Sequence, residues 1–196
     1  ASFGQSPWSA RLPVALSYLA CIGLVGWIAT RLIPAHARWP PLVFATMLVP
    51  ASAAQLITTD FVLSAFQLLA MAGYIVHRFP DGQGRTQQWG LLVMYAGFGL
   101  AFLTKGPPAL IPVPALMLLA WRRPHPVPAS RWWHMAGVVL FLGIALPWYA
   151  LVGSRHAGLW QYFVGSELVD RVASDRFGRN GQWYGWLAVY GPTLLL

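Results

Sequence analysis

The stretch Ile57-Thr58-Thr59-Asp60-Phe61-Val62-Leu63 sets one carboxylate between two apolar runs, Pro41–Ile57 and Phe61–Val76. Each run approaches the ~20 mostly apolar residues that a membrane-spanning helix needs. An ionised Asp at the bilayer centre costs at least ~2.5 kcal/mol. A carboxylate in this setting belongs to a turn between spans, lining a water-filled cavity or a reaction centre.

Outward from Asp60 the pattern repeats. Apolar runs occupy Leu12–Ile33, Trp89–Thr104, Pro107–Trp121 and Met135–Val152, and another begins near Trp186. The expected fold is all-α, a polytopic transmembrane helical bundle. Pro13, Pro41 and Pro107 fall near the proposed helix starts, where proline is tolerated. Pro112 and Pro114 fall inside a run and predict a kink there. Trp8, Trp39, Trp89, Trp121, Trp132, Trp133, Trp148 and Trp160 sit close to the proposed helix ends, as an aromatic belt requires.

Composition agrees. Hydrophobic residues make up 57% of the chain and charged ones 9%, with a mean hydropathy of +0.55, which excludes an ordinary soluble domain. The aromatic and aliphatic content excludes disorder. Cys21 is the only cysteine, so neither a disulfide framework nor a thiolate metal site is available, and it reads as a small packed hydrophobe. The net charge of +8 is assigned to membrane lipid headgroups and helix orientation, not to nucleic acid. The chain opens on Ala1 and stops inside the apolar run Thr193-Leu194-Leu195-Leu196, and it reads as a piece of a longer protein.

Alternating spans produce two sets of loops. Arg31–Pro40, His77–Gln88 and Arg122–His134 hold seven Lys/Arg against one acid, Asp81. The amino end, the Asp60 turn, the Lys105-Gly106 turn and Gly153–Tyr184 hold six Lys/Arg and four acids. The basic counts barely differ, and the short Arg-rich connectors decide the orientation: they are cytoplasmic by the positive-inside rule. Asp60, Lys105 and Gly153–Tyr184 are then expected on the extracytoplasmic face, so most of the acids converge on one side.

Asp60 follows Thr58 and Thr59 and precedes a helix, where Thr or Asp can cap free amides and suit the helix dipole; that role does not exclude a place in a site. Lys105 is the sole lysine, in Phe102-Leu103-Thr104-Lys105-Gly106-Pro107-Pro108. It can snorkel to the headgroups, or stand as a cation beside a phosphate on a tight Gly-Pro turn. Tyr162 through Arg171 reads as an amphipathic interfacial helix on which Glu167 and Arg171, four apart, can pair. His134 and His156 are isolated and lack metal-ligand spacing. No Walker loop, Rossmann fingerprint, Ser-His-Asp set or HExxH occurs.

The order of strings carries a resemblance. Trp8-Ser9-Ala10-Arg11-Leu12-Pro13, Thr59-Asp60-Phe61, Phe102-Leu103-Thr104-Lys105-Gly106-Pro107 and Ala145-Leu146-Pro147-Trp148-Tyr149 are followed by Tyr162-Phe163, Glu167, Arg171, and Arg179 through Gln182-Trp183-Tyr184. Together they resemble the integral-membrane C-type glycosyltransferases of the lipid A aminoarabinose transferase and protein O-mannosyltransferase family, over nearly the whole chain.

That resemblance implies a glycosyltransferase of the bacterial inner membrane with its site on the extracytoplasmic side. The donor would be an undecaprenyl-phosphate sugar, and the acceptor lipid A, another glycan or a protein. The family's catalytic Asp, within an Asp-Glu pair of the first extracytoplasmic loop, and a later Lys-Pro are not found here. The chain is expected to begin just after that loop and to be inactive alone. Residues 1–196 would form part of one transmembrane domain, about six full spans and the start of a seventh, with an interfacial segment at 153–185. Asp60 matches the family's second acidic position, as a supporting acid. Lys105, Glu167, Arg171, Arg179, Tyr162 and Arg11 are carried over as substrate-binding candidates. Relatives often carry His where this chain has Leu168, which argues against the aminoarabinose enzyme itself. Metal dependence stays open. The rival reading is a transporter or flippase with Asp60 in a substrate or proton path, although its hallmark, an inverted repeat, is not evident.

Overall fold

The computed structural model describes residues 7–79, 84–122 and 130–155. All regular elements among them are helical. The chain divides into two compact units, Ala1–Leu146 and Pro147–Leu196. In the second unit the described residues are 147–155, where Trp148 and Tyr149 meet edge to face at 5.0 Å.

Helix α1 (Pro7–Leu32) starts earlier than the apolar run suggests, so Pro13 lies inside the helix and not at its start. Pro7 takes the first helical position, where its missing N–H is no loss. A 3₁₀ turn at Pro34–His36 leads to α2 (Trp39–Thr46) and α3 (Leu48–Ala53). The expected span Pro41–Ile57 is therefore two short helices broken at Met47, which is extended at φ −61° and ψ 134°. Pro50 explains the break: in a continuous helix its ring would meet the carbonyl of Thr46 and its N–H would be missing. The Thr46 hydroxyl donates to the carbonyls of Leu42, at 2.9 Å, and Val43, at 3.3 Å.

Helices α4 (Asp60–Arg78) and α5 (Gly84–Lys105) form the closest pair. Their glycines face backbone. A Cβ on Gly73 would lie 2.5 Å from the Met94 nitrogen, and one on Gly97 would lie 2.6 Å from the Ala70 nitrogen. The pairing 70 with 97 and 73 with 94 shows that the helices run antiparallel. Small residues permit this approach, as in membrane helix pairs that associate by backbone-near packing. Antiparallel packing has one consequence for the site: the first residue of α4 meets the last residue of α5.

The expected irregularity in Pro107–Trp121 is a change of helix type at Ile111–Pro112, with Ile111 still helical at φ −51° and ψ −39°. A 3₁₀ turn at Pro107–Leu110 precedes α6 (Val113–Arg122), because Pro112 has no N–H to continue a helix. Helix α7 (Arg131–Arg155) begins after Ser130, whose Oγ accepts from the Trp132 N–H at 3.4 Å. Within the first unit α7 packs on α5 through Phe102 with Phe141 and Trp89 with Trp133.

Val14, Cys21, Phe61 and Ala65 form a buried cluster between α1 and α4, with Tyr18, Phe44 and Leu68 around it. Cys21 is fully buried, a packed hydrophobe as expected. Much of the outer surface is apolar: Trp8, Leu48, Ile111, Trp121 and Val139 are all more than two-thirds exposed. Faces of that kind suit lipid rather than water. Among the described residues three helices are long and apolar enough to cross a membrane, Trp8–Leu32, Asp60–Arg78 and Arg131–Arg155. The chain is an integral membrane protein.

Candidate functional site

Asp60 opens α4 and Lys105 closes α5. The Lys105 Nζ donates to the Asp60 carboxylate in an ion pair that joins positions 45 residues apart. Asp60 stands in the first turn of α4, where a carboxylate suits the helix dipole. Thr59 occupies the N-cap position with φ −83° and ψ 1°, without a side-chain capping bond, and the Asp60 side chain reaches across to α5 instead.

The pair stands open to its surroundings, with Lys105 38% and Asp60 55% exposed. An ion pair so exposed contributes no more than ~1 kcal/mol to stability. A carboxylate and a cation thus share one end of the helix pair. Lys105 does not point away to the headgroups alone.

The turn beyond Lys105 is tightly specified. Gly106 has φ 71° and ψ −140°, a conformation only glycine adopts without strain. Its N–H donates to the Phe102 carbonyl at 2.7 Å, and its carbonyl accepts from Ala109 at 3.0 Å. Proline follows at 107 and 108, fixing the exit. Motif reading does not mark Gln67, yet this half-buried residue of α4 donates to the carbonyls of Pro108, at 3.2 Å, and Ala109, at 3.1 Å. The available signal is its spacing: Gln67 follows Asp60 by seven residues, about two helical turns, and so shares its face.

Arg11 is exposed on α1, while the side chain paired with the Asp60 carboxylate is that of Lys105. Tyr162, Glu167, Arg171 and Arg179 lie outside the described residues, as do Leu168 and most of the expected interfacial segment. His134 meets the Tyr95 hydroxyl through Nδ1 at 3.2 Å. Among the described residues no three His, Cys, Asp or Glu side chains are grouped to hold a metal ion.

At the opposite end of α4 the chain carries His77 and Arg78. Arg31 and Arg38 flank the 3₁₀ turn after α1, each guanidinium over a tryptophan, Trp27 at 5.0 Å and Trp39 at 5.5 Å. Such pairs hold cations at a membrane interface.

Residues 1–150 match the family described as dolichyl-phosphate-mannose-protein mannosyltransferase. The chain is 26% identical, over 93% of its length, to the undecaprenyl phosphate-alpha-4-amino-4-deoxy-L-arabinose arabinosyl transferase of Aeromonas salmonicida. A second relative of that name, from Pseudomonas fluorescens, is 30% identical over 55% of the chain. Its fold is similar to the crystal structure of ArnT from Cupriavidus metallidurans bound to undecaprenyl phosphate. There the TM-score is 0.80 and the identity 29%, covering 98% of this chain and 36% of that one. The match spans 34% of the Aeromonas protein and 18% of the Pseudomonas one. With its helical architecture and its match over residues 1–150, the chain belongs to the dolichyl-phosphate-mannose-protein mannosyltransferase family of integral-membrane glycosyltransferases.

Proposed function

We propose that the protein transfers a sugar from an undecaprenyl-phosphate donor to an acceptor on the extracytoplasmic face of the bacterial inner membrane. The observation that carries this reading is the Lys105–Asp60 pair at one end of α4 and α5, with a glycine-proline turn holding the lysine in place. The chemistry has two needs. The acceptor hydroxyl must lose a proton as its oxygen bonds to the anomeric carbon. The bond from that carbon to the phosphate oxygen breaks, and the departing lipid phosphate must be neutralised.

Lys105 meets the second need as a cation at the donor phosphate. Asp60 holds Lys105 and serves as a supporting acid beside the main catalytic carboxylate. Both stand at the end of α4 opposite His77 and Arg78, which supports an extracytoplasmic site if the arginine-rich connectors are cytoplasmic. A lipid-facing exterior gives the polyprenyl chain access from the bilayer. Arg11, Tyr162, Glu167, Arg171 and Arg179 complete the proposed substrate contacts, and residues 1–196 contribute to a single transmembrane domain. The family match speaks for transfer over the transporter reading.

The test is transfer from radiolabelled undecaprenyl-phosphate sugars, aminoarabinose among them, by membranes containing the full-length protein. Lipid A, glycan and protein fractions serve as acceptors. Label reaching one of them, and lost in Asp60→Asn, supports the reading. No transfer from any donor by folded protein overturns it.

A further inference from the structure

Gln67 is the one amide side chain in the mostly apolar stretch Phe61–Val76, and both of its donor contacts go to one short segment. Its Nε2 reaches the Pro108 and Ala109 carbonyls, 41 and 42 residues away. The need for it is local. A helical carbonyl at Pro108 would take its donor from residue 112, and Pro112 has none. The backbone donor that does reach it, the Ile111 N–H, is at 3.3 Å. The neighbouring Ala109 is fully buried, where an ill-satisfied carbonyl is costly. Gln67 adds a second donor at the Pro108 carbonyl and one at the Ala109 carbonyl.

The segment from Lys105 to Ala109 is thereby fastened to α4 at two points. Asp60 holds the lysine, and two turns further along the same face Gln67 holds the carbonyls. Between them lies Gly106, at the positive φ where the chain turns from α5 toward the Pro108–Ala109 carbonyls. We propose that Gln67 is a positioning residue: by fixing the Pro108–Ala109 carbonyls to α4 it sets where Lys105 stands and so its reach to the donor phosphate. Gln67 itself meets no substrate. The second half of this proposal, the phosphate, rests on the proposed function; the clamp does not.

Two readouts on the full-length protein separate them. The first needs no ligand: the rate at which the Lys105 amine is acylated by an N-hydroxysuccinimide ester, followed on its peptide by mass spectrometry. Gln67→Met keeps the length and removes the donors, so labelling is expected to rise roughly threefold, the worth of a hydrogen bond of ordinary net strength. An unchanged rate overturns the clamp. Should Gln67→Met fail to fold, Gln67→Asn, one methylene short, is expected to act in the same direction.

The second is affinity for undecaprenyl phosphate. Gln67→Met is expected to weaken it roughly threefold in the wild-type background and hardly at all beside Lys105→Met, because contacts acting through one group are not additive. An equal loss in both backgrounds overturns positioning through Lys105. If wild-type protein does not bind undecaprenyl phosphate while Gln67→Met still changes the acylation rate, the proposed function falls and the clamp stands.

Discussion

The Lys105 ammonium donates to the Asp60 carboxylate across the antiparallel pair of α4 and α5, the last residue of one helix meeting the first of the other. Neither residue is deeply buried, so the pair is poorly placed to hold the fold together and well placed to meet a ligand.

Asp60→Asn is therefore expected to separate activity from stability. The amide keeps the shape and loses the charge that holds Lys105. Transfer should fall at least ~100-fold, the lower range for a group engaged in proton or charge handling at a reaction centre. The unfolding transition should lose no more than ~1 kcal/mol. Transfer assays and fluorescence-detected unfolding of one preparation check both halves. Near-normal turnover would remove Asp60 from the site.

Gly106→Ala tests the turn itself. At φ 71° and ψ −140° a Cβ is strained whatever space surrounds it, at about 1–3 kcal/mol. Relief of that strain moves Lys105 away from Asp60. A lower melting temperature together with weaker donor binding is expected; an alanine variant that retains both would show that the turn tolerates other backbone conformations.

How much of this was legible in the sequence follows from what each signal measures. Apolar runs mark helices, and α1, α4, α5 and α7 stand where such runs occur. They do not mark breaks, which hinge on single prolines: Pro50 splits the second run at Met47. Near Pro112 the expected irregularity takes the form of a 3₁₀ turn running into α6. Asp60 and Lys105 were visible because charge is rare in such a chain. Gln67 was not, since its role depends on carbonyls left wanting by a proline 45 positions away, a relation the fold creates. Motifs beyond Arg155 lie outside the described residues.

Tyr18→Phe addresses the packing of α1. The Tyr18 hydroxyl donates to the Ala45 carbonyl at 2.9 Å, while its ring meets Phe61 edge to face at 5.2 Å. Phenylalanine retains the ring contact and leaves the carbonyl short of one donor. A loss of about 0.5–1.5 kcal/mol is expected in reversible unfolding. Transfer should be unaffected, as Tyr18 has no place in the proposed site.

The glycines of α4 and α5 make the sharpest structural prediction. A methyl group on Gly73 would press on the Met94 nitrogen at 2.5 Å and the Gly90 carbonyl at 2.6 Å; on Gly97 it would meet Ala70 backbone at 2.6 Å. Backbone cannot rotate aside as a side chain can, so the helices must separate. Gly73→Ala and Gly97→Ala should each cost about 1–3 kcal/mol. Gly23→Ala and Gly143→Ala are the controls, for nothing lies within 4 Å of either added carbon. There alanine's better helix propensity, worth up to ~1 kcal/mol, should leave stability equal or raised. Separation of α4 from α5 also draws Asp60 from Lys105, so the first two variants should lose donor affinity with stability and the controls neither. Equal melting temperatures across all four variants would mean that the close approach of α4 and α5 is not what holds this pair.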